Sequence, residues 1–232
     1  FLVRDGNLNI WIEVICPEPC EIPEEWLGPS FSEEASAYDF PHESILLRWT
    51  AAIKEKSEKL IGSTDGKVNG YLKDGIVGPN DAYVIAVNGC QLREEGALGP
   101  FSELFGISQF PFAVEAVFPI GQYQLTINRD TLGVVKRSYQ HRPYIINRNE
   151  AHVPAYVFLD PRFNPISAIW AVDMNGGTVI GNSEPIVVIH NPNAINPIPI
   201  GFLPADNAYV ASPCNPDEFI LEKIDLQQYK GR

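Results

Sequence analysis

Two residues of opposite charge stand in apolar patterns, and they are the first candidates for chemistry. Lys56 follows Ile53 by three positions and precedes Leu60 by four, so helical spacing places it within an apolar stripe. Glu13 shares one face of the alternating segment 8–15 with apolar side chains. Because lysines are seldom buried without a partner, either the Lys56 ammonium reaches solvent along the helix surface, or it pairs with Glu13 at a functional site.

Glu13 has two interpretations of its own. It is an acid on a solvent-facing edge of a sheet, or it is a carboxylate held on a rigid strand for a metal ion. Hard divalent cations such as Mg²⁺ and Mn²⁺ prefer carboxylate oxygens held in this way. The second interpretation predicts a metal site that includes Glu13.

Glu115 is a second acid within an apolar run, at residues 113–117. It is a candidate catalytic carboxylate, or it pairs with one of the later arginines Arg137, Arg142 and Arg148.

His190 ends an apolar segment, at a strand end where sites of α/β proteins gather. A single histidine is more often a hydrogen-bonded structural residue, so both roles stay open. The chain contains no P-loop, no dinucleotide-binding fingerprint and no G-x-S-x-G motif.

The chain has four cysteines, Cys16, Cys20, Cys90 and Cys214. The spacing of Cys16 and Cys20 in the CPEPC segment suits a metal, but two thiols without a second pair or nearby histidines are weak zinc ligands. We therefore expect reduced structural cysteines, with Cys90 buried at a strand end, and a cytoplasmic location.

Composition restricts the classes of partner. The 232 residues are 45% hydrophobic and carry a net charge of −12, which is typical of a globular protein and unfavourable for nucleic acid. A nucleic-acid partner would need a local basic patch or divalent cations. A protein partner or a homodimer is compatible with this charge. No apolar run reaches the roughly 20 residues of a membrane helix, so no membrane partner is expected.

The order of predicted elements indicates one mixed α/β domain that is rich in strands. A hairpin at 1–15 precedes a long loop to residue 41, a helix at about 45–60 capped by Ser44, and a strand at 82–88 that is buried on both faces. Residues 112–118 are a short helix or a strand. Further strands are predicted at 122–128, 134–138, 155–159, 166–173, 185–190 and 219–224, and residues 191–204 are predicted to form a loop.

The order of hairpin, helix with an inward lysine, and buried strand resembles the core of the PD-(D/E)XK nuclease-like superfamily. Over most of its length the sequence resembles a group of uncharacterised bacterial proteins that we associate with that fold. The matching stretches are residues 11–13, 47–56, 75–89, 142–143, 158–161 and 190–192. The resemblance implies a restriction-endonuclease-like core at residues 1–90 and an added antiparallel, strand-rich half at 91–232 of the same domain.

The resemblance also implies roles for individual residues. Glu13 and an aspartate would hold Mg²⁺ or Mn²⁺, and that aspartate is Asp5 or a residue upstream of Phe1. The motif lysine is expected at position 15, which holds isoleucine, so Lys56 from the helix would take its place. Arg48 would contact a phosphate or form a surface salt bridge. Because the chain begins with Phe and its single methionine is at position 174, we expect the natural protein to extend upstream.

Two functions of different classes follow from this resemblance. The first is a metal-dependent nuclease that hydrolyses phosphodiesters, in defence or toxin biology. The second is a catalytically inactive relative that acts as a protein-binding or immunity module. The acidic charge and Ile15 favour the second, whereas Glu13 and Lys56 on inward faces favour the first.

Overall fold

The computed structural model describes residues 1–6, 8–27, 40–92, 108–174, 186–215 and 218–229. Over this part of the chain the fold is mixed α/β, with one large sheet, two small sheets and few helices. The strands are β1 (Leu2–Asp5), β2 (Leu8–Ile15), β3 (Ala82–Asn88), β4 (Ile120–Ile127), β5 (Val134–His141), β6 (Tyr144–Ile146), β7 (His152–Pro154), β8 (Ala168–Val172), β9 (Val187–His190), β10 (Asn207–Asn215) and β11 (Glu218–Asp225). The α-helices are α1 (Glu24–Leu27), α2 (His42–Ile61), α3 (Phe112–Val117) and α4 (Leu226–Tyr229).

The large sheet has seven strands in the order β1-β2-β3-β8-β9-β10-β11. The pairs β2–β3, β3–β8 and β9–β10 are parallel, and the other pairs are antiparallel. The predicted buried strand at 82–88 is confirmed, since β3 lies inside the sheet between β2 and β8. In the described part of the second half the predicted antiparallel character holds for the pairs β4–β5, β6–β7, β8–β9 and β10–β11, whereas β9 and β10 run parallel.

Helix α2 covers one face of the sheet with the apolar stripe that its sequence predicts. Ile45, Trp49, Ile53 and Leu60 are buried in the same core cluster as β3 and β8. The helix begins two residues before Ser44, after Pro41, and no side chain caps it, so the predicted N-cap is wrong. In the described part of the chain no helix, including the 20 residues of α2, is apolar enough over its length to cross a membrane.

A tight turn closes the carboxyl end of α2. The backbone amides of Tyr71 and Leu72 donate to the carbonyls of Lys59 and Leu60, which have no partner within the helix. This return brings Gly70, at a φ of +85°, against the backbone of the last helical turn. Only a residue without a side chain fits there, because a Cβ would lie 2.8 Å from the Leu60 carbonyl oxygen.

Short helix α3 packs beside α2 on the same face of the sheet, and all six of its residues are buried. Its presence resolves the helix-or-strand ambiguity of residues 112–118 in favour of a helix. The opposite face of the sheet is covered by the loop at 191–206, with Ile198 and Leu203 against Ile10 and Val84. The loop predicted at 191–204 is therefore confirmed, and it is a packed layer of the fold.

Predictions about the second half and about the loop at 16–41 meet different outcomes. The hairpin at 122–138 is confirmed as β4 and β5, with longer strands than predicted. The strand predicted at 155–159 is wrong, because residues 157–159 form a 3₁₀ turn. Strand β10 was not predicted, although its residues pair with both β9 and β11. Within the loop predicted at 16–41, α1 forms and residues 28–39 lie outside the described residues.

Candidate functional site

The predicted pairing of Lys56 with Glu13 is confirmed. Lys56 Nζ lies 3.3 Å from Glu13 Oε1, and the lysine side chain is only 9% exposed. Strand β2 presents Trp11, Glu13 and Ile15 toward α2, while Ile10 and Ile12 enter the other core cluster. The alternation of β2 and the periodicity of α2 therefore bring the two charges together, as their faces predict.

Two further charges complete what we call the lysine–glutamate cluster: Glu13, Glu55, Lys56 and Lys59. Lys56 Nζ also lies 3.3 Å from Glu55 Oε1, and Lys59 Nζ lies 3.4 Å from Glu13 Oε1. Each lysine thus contacts both acids, and the cluster has no net charge. The Lys59 side chain is 37% exposed, and its ammonium reaches back to strand β2.

Tyr83 lies beside this cluster on the neighbouring strand β3. Its hydroxyl is buried and has no hydrogen-bond partner among the residues described. Burial raises the pKa of Tyr83 above its ordinary value, and the negative charge of Glu13 raises it further. The phenol therefore stays protonated and is an unused donor behind the carboxylate.

Asp5 does not share a site with Glu13, so the metal pair that combined them is wrong. Asp5 pairs with Leu8 at the turn of the first hairpin, five residues from Glu13, or about 16 Å along the strand. Directly paired residues share a face, and Leu8 belongs to the face of β2 opposite to Glu13. The two carboxylates therefore lie at different ends and on different faces of the hairpin.

Arg48 is likewise separate from the lysine–glutamate cluster. It precedes Lys56 by eight residues, which is about 12 Å along α2. Its Nε is buried without a hydrogen-bond partner, and it forms no ion pair with a residue that the structure describes. The surface salt bridge predicted for Arg48 is thus not observed in the described part of the chain.

The carboxylates of the cluster do not fit a divalent metal ion. Glu13 and Glu55 each lie within 3.8 Å of the ammonium groups of Lys56 and Lys59. These ammonium groups occupy the positions around the carboxylates that a metal cation would take. A hard cation such as Mg²⁺ prefers about six oxygen ligands, several of them carboxylates or water. Across the described ranges, no three histidine, cysteine or acidic residues form a group that could hold a metal ion.

A second cluster of charge lies deep between α2, α3 and the start of β4. Glu115 is fully buried, and its Oε2 accepts hydrogen bonds from Arg142 Nη2 and His42 Nε2, each at 2.7 Å. Its Oε1 accepts from the Ser108 amide at 3.0 Å and from the Ser108 hydroxyl. The predicted pairing of Glu115 with one of three arginines is confirmed for Arg142.

This carboxylate network holds Glu115 in its ionised form. Burial opposes ionisation, but the hydrogen bonds that His42 and Ser108 donate to the carboxylate outweigh it and lower the pKa of Glu115. Arg142 Nη1 lies 3.5 Å from His42 Nδ1, which must accept, so Nε2 carries the proton that bonds the carboxylate. All four side chains are thereby engaged with one another, which is the pattern of a structural network.

His42 and Ser108 were not predicted as members of this network. They lie 73 and 7 residues from Glu115 along the chain. Only the acid within an apolar run signalled that buried partners were required. Which residues pair with Glu115 depends on how α2 and the segment before α3 pack, and a local sequence pattern does not predict this packing.

The network anchors a projecting two-stranded ribbon formed by β4 and β5. Arg142, directly after β5, donates from Nη2 to the Ile120 carbonyl at the start of β4, and its amide donates to the Pro119 carbonyl. Gly121 lies so close to Arg142 that an added Cβ would be 3.1 Å from the arginine Cβ. Glu115 thereby fixes the base of both ribbon strands through one guanidinium.

Beyond this base the ribbon is exposed to solvent and has one apolar face. Tyr123, Leu125 and Ile127 alternate along β4, opposite Tyr139, Arg137 and Val134 of β5. Leu125 and Ile127 are each 51% exposed, Val134 48% and Tyr139 42%. We call the residues Tyr123, Leu125, Ile127, Val134 and Tyr139 the ribbon face.

His190 lies apart from the lysine–glutamate cluster. Strand β9 runs antiparallel to β8, so His190 at its end pairs with Ala168 at the beginning of β8. His190 therefore lies at the end of the sheet formed by the amino ends of β2, β3 and β8, opposite to their carboxyl ends. Burial lowers the pKa of His190 to about 4, so the ring is neutral at pH 7.

The cysteines differ from the predicted CPEPC pair. Cys16, at the end of β2, has its Sγ 3.9 Å from Cys90 Sγ just after β3, whereas Cys20 Sγ contacts Glu18. Cys90 is partly exposed, not buried as predicted, and no disulfide bond joins any two of the four cysteines. Strand pairing, rather than spacing along the chain, decides which thiols meet.

Comparison with known proteins identifies no relative of this chain. No family model matches it, and no curated protein or solved structure is significantly similar to it.

Proposed function

We propose that this protein is a protein-binding module that docks through the ribbon face. The exposed ribbon carries the proposal, since the described surface otherwise offers a paired, neutral charge cluster at the position expected for catalysis. A two-stranded hairpin is marginally stable in water on its own. Here a buried ion pair fixes its base, while large apolar side chains along its length remain in solvent.

The charge of the ribbon indicates the kind of surface that it fits. Residues 120–141 contain the bases Arg129, Lys136 and Arg137 against the single acid Asp130, in a chain whose net charge is −12. Arg137 lies within the ribbon face, opposite Leu125. The matching partner is a protein surface with an apolar centre and an acidic border.

Apolar area supplies the affinity in this proposal. Leu125, Ile127 and Val134 are branched aliphatic side chains whose exposed halves a partner would cover, and exposed apolar patches of this kind mark interaction sites. The two tyrosines at the base of the ribbon lie 5.2 Å apart between ring centroids. They form a rigid aromatic platform, the residue type that most often dominates binding energy at interfaces.

The test compares two ribbon variants of the full chain. Leu125→Ser with Ile127→Ser removes apolar area, whereas Gln124→Ser with Thr126→Ser changes the opposite face and leaves the ribbon face in place. The unchanged chain and the two variants are each immobilised and exposed to extract from the cells that express the protein. Bound proteins are then quantified by mass spectrometry.

Each protein retained by the unchanged chain is then purified, and its Kd is measured against all three forms at two salt concentrations. We expect the first variant to weaken binding at least tenfold and the second to leave it unchanged, with weaker binding of an acidic partner at high salt. Equal retention of all proteins by the two variants would overturn the proposal.

A metal-dependent nuclease is the second candidate, and the convergence of Lys56, Glu13 and Glu55 favours it. The resemblance to nuclease-like cores implies an acid and a lysine close together, and Lys56 lies 3.3 Å from both Glu13 and Glu55. Because the donor set does not fit Mg²⁺ or Mn²⁺, we derive no catalytic step. Calorimetric titration of the unchanged chain and of a Glu13→Ala variant with Mn²⁺ tests whether this protein is a metal-dependent nuclease. Heat of binding that the variant lacks would favour the nuclease, and no heat in either protein would exclude it.

A further inference from the structure

We propose that Cys16 and Cys90 form a redox-active dithiol that a peroxide converts into an intramolecular disulfide. The two sulfur atoms are 3.9 Å apart. A disulfide bond is about 2.0 Å long, so each sulfur needs to move by only about 1 Å. Rotation of the two side chains about their Cα–Cβ bonds can supply such a shift.

The positions of the two residues in the sheet hold them in register. Strands β2 and β3 pair in parallel from Ile10 with Ala82 to Ile15 with Val87. Cys16 directly follows β2, and Cys90 opens a 3₁₀ turn that the Asn88 side chain steadies by accepting from the Cys90 amide. Their proximity is therefore built into the central sheet and does not depend on a chance approach of two loops.

Exposure gives the two thiols different roles. Cys16 is exposed to solvent, whereas Cys90 is only partly exposed. An accessible thiol meets a small oxidant first, and a neighbouring thiol then resolves the oxidised sulfur. Cys16 is thus the attacking residue and Cys90 the resolving residue.

The chemistry balances with hydrogen peroxide as the oxidant. The Cys16 thiolate attacks one peroxide oxygen, an S–O bond forms, the O–O bond breaks, and the leaving hydroxide takes a proton to become water. Cys90 then attacks the resulting sulfenic acid at sulfur, an S–S bond forms, and the S–O bond breaks. The hydroxide released takes the Cys90 proton, so two thiols and one peroxide give one disulfide and two waters.

Peptide mapping of the full chain tests the proposal. The reduced protein is treated with increasing hydrogen peroxide, remaining thiols are alkylated, and the peptides are analysed without reductant. We expect one cross-linked peptide pair containing Cys16 and Cys90, about 2 Da lighter than the two reduced peptides. Dithiothreitol should restore both thiols.

Four single serine variants provide the controls. Cys20→Ser and Cys214→Ser should form the same cross-link at the same peroxide concentration. Cys16→Ser and Cys90→Ser should not, and in Cys90→Ser the exposed Cys16 should accumulate sulfinic acid. Two outcomes would overturn the inference: a Cys16–Cys20 cross-link formed as readily, or oxidation of Cys20 and Cys214 before any Cys16–Cys90 disulfide appears.

Discussion

The guanidinium of Arg142 lies 2.7 Å from the fully buried carboxylate of Glu115 and also holds the first carbonyl of the ribbon. One ion pair thus links the interior of the fold to the exposed ribbon of β4 and β5. Such a pair is hard to replace singly, because removal of one partner leaves the other charged in a poorly hydrated position. This relationship sets the first expectation for stability.

Glu115→Gln should destabilise the protein by about 3 kcal/mol. The substitution keeps the shape of the side chain but leaves the partly buried Arg142 without an anion. The amide NH₂ of glutamine also faces either Ser108 or the pair of His42 and Arg142, which are themselves donors. Urea denaturation followed by tryptophan fluorescence measures the change in free energy of unfolding.

The pair of Asp160 and Arg162 is the control, because its ions are 2.6 Å apart but Arg162 is 62% exposed. Asp160→Asn should cost at most about 1 kcal/mol. A loss in Glu115→Gln no larger than this would show that the buried network contributes little to stability.

The lysine–glutamate cluster should respond unequally to removal of its two central charges. Glu13→Gln leaves the buried Lys56 ammonium with only the exposed Glu55, at a cost of about 1–2 kcal/mol. Lys56→Met should cost less than about 1 kcal/mol, since methionine fills the same space and Glu13 keeps Lys59. Thermal unfolding of both variants measures this order.

Lys54→Met serves as the reference for that comparison. Lys54 is largely exposed and lies 3.8 Å from Glu58, so its substitution should change stability by less than about 0.5 kcal/mol. If Lys56→Met proves more harmful than Glu13→Gln, the ammonium rather than the carboxylate is the group that the core requires.

His190 should make the protein less stable as the pH falls from about 6.5 to about 4. The folded state has a His190 pKa of about 4, whereas an unfolded histidine has a pKa of about 6.5. Between these values the unfolded chain binds a proton that the folded chain does not, so acidification favours unfolding. The total loss is about 3 kcal/mol at the acid end of the window.

Denaturation at a series of pH values tests this dependence. His190→Gln should flatten the slope of stability against pH within the window by about one proton. His152→Gln, at an exposed position, should leave the slope unchanged. Parallel curves for His190→Gln and the unchanged chain would show that another group titrates there.

The lowered pKa of Glu115 acts in a more acidic range. Its contribution is present above the ordinary pKa of a glutamate and is lost as the pH falls through the lower folded-state value. A slope that survives in His190→Gln below about pH 4 and disappears in the double variant with Glu115→Gln would identify this carboxylate.

Gly70 and Gly66 should differ sharply in their tolerance of alanine, although both have positive φ angles. An added Cβ at Gly66 meets nothing within 4 Å, whereas at Gly70 it would lie 2.6 Å from the Ile61 carbonyl carbon. Gly66→Ala should cost about 1 kcal/mol from backbone strain alone. Gly70→Ala should cost at least about 3 kcal/mol, because backbone atoms at the end of α2 must also move. Similar melting temperatures for the two variants would contradict the close approach.

Local periodicity was sufficient to predict the elements that meet at the lysine–glutamate cluster. The spacing of Ile53, Lys56 and Leu60 and the alternation around Glu13 each define a face within one element. Such faces must point to the core whatever the rest of the chain does, because apolar side chains leave water. The buried strand at 82–88 was predictable for the same reason.

Tertiary structure alone decided which distant residues became partners. Cys16 meets Cys90 rather than Cys20, and Glu115 meets His42 and Ser108, because strand order and helix packing set these distances. Asp5 fell on the wrong face because the register of the hairpin, not its spacing from Glu13, determines where it points. Side-chain patterns of single elements record which face is buried, but a contact between elements depends on the packing of the whole sheet, and no short stretch of sequence contains that information.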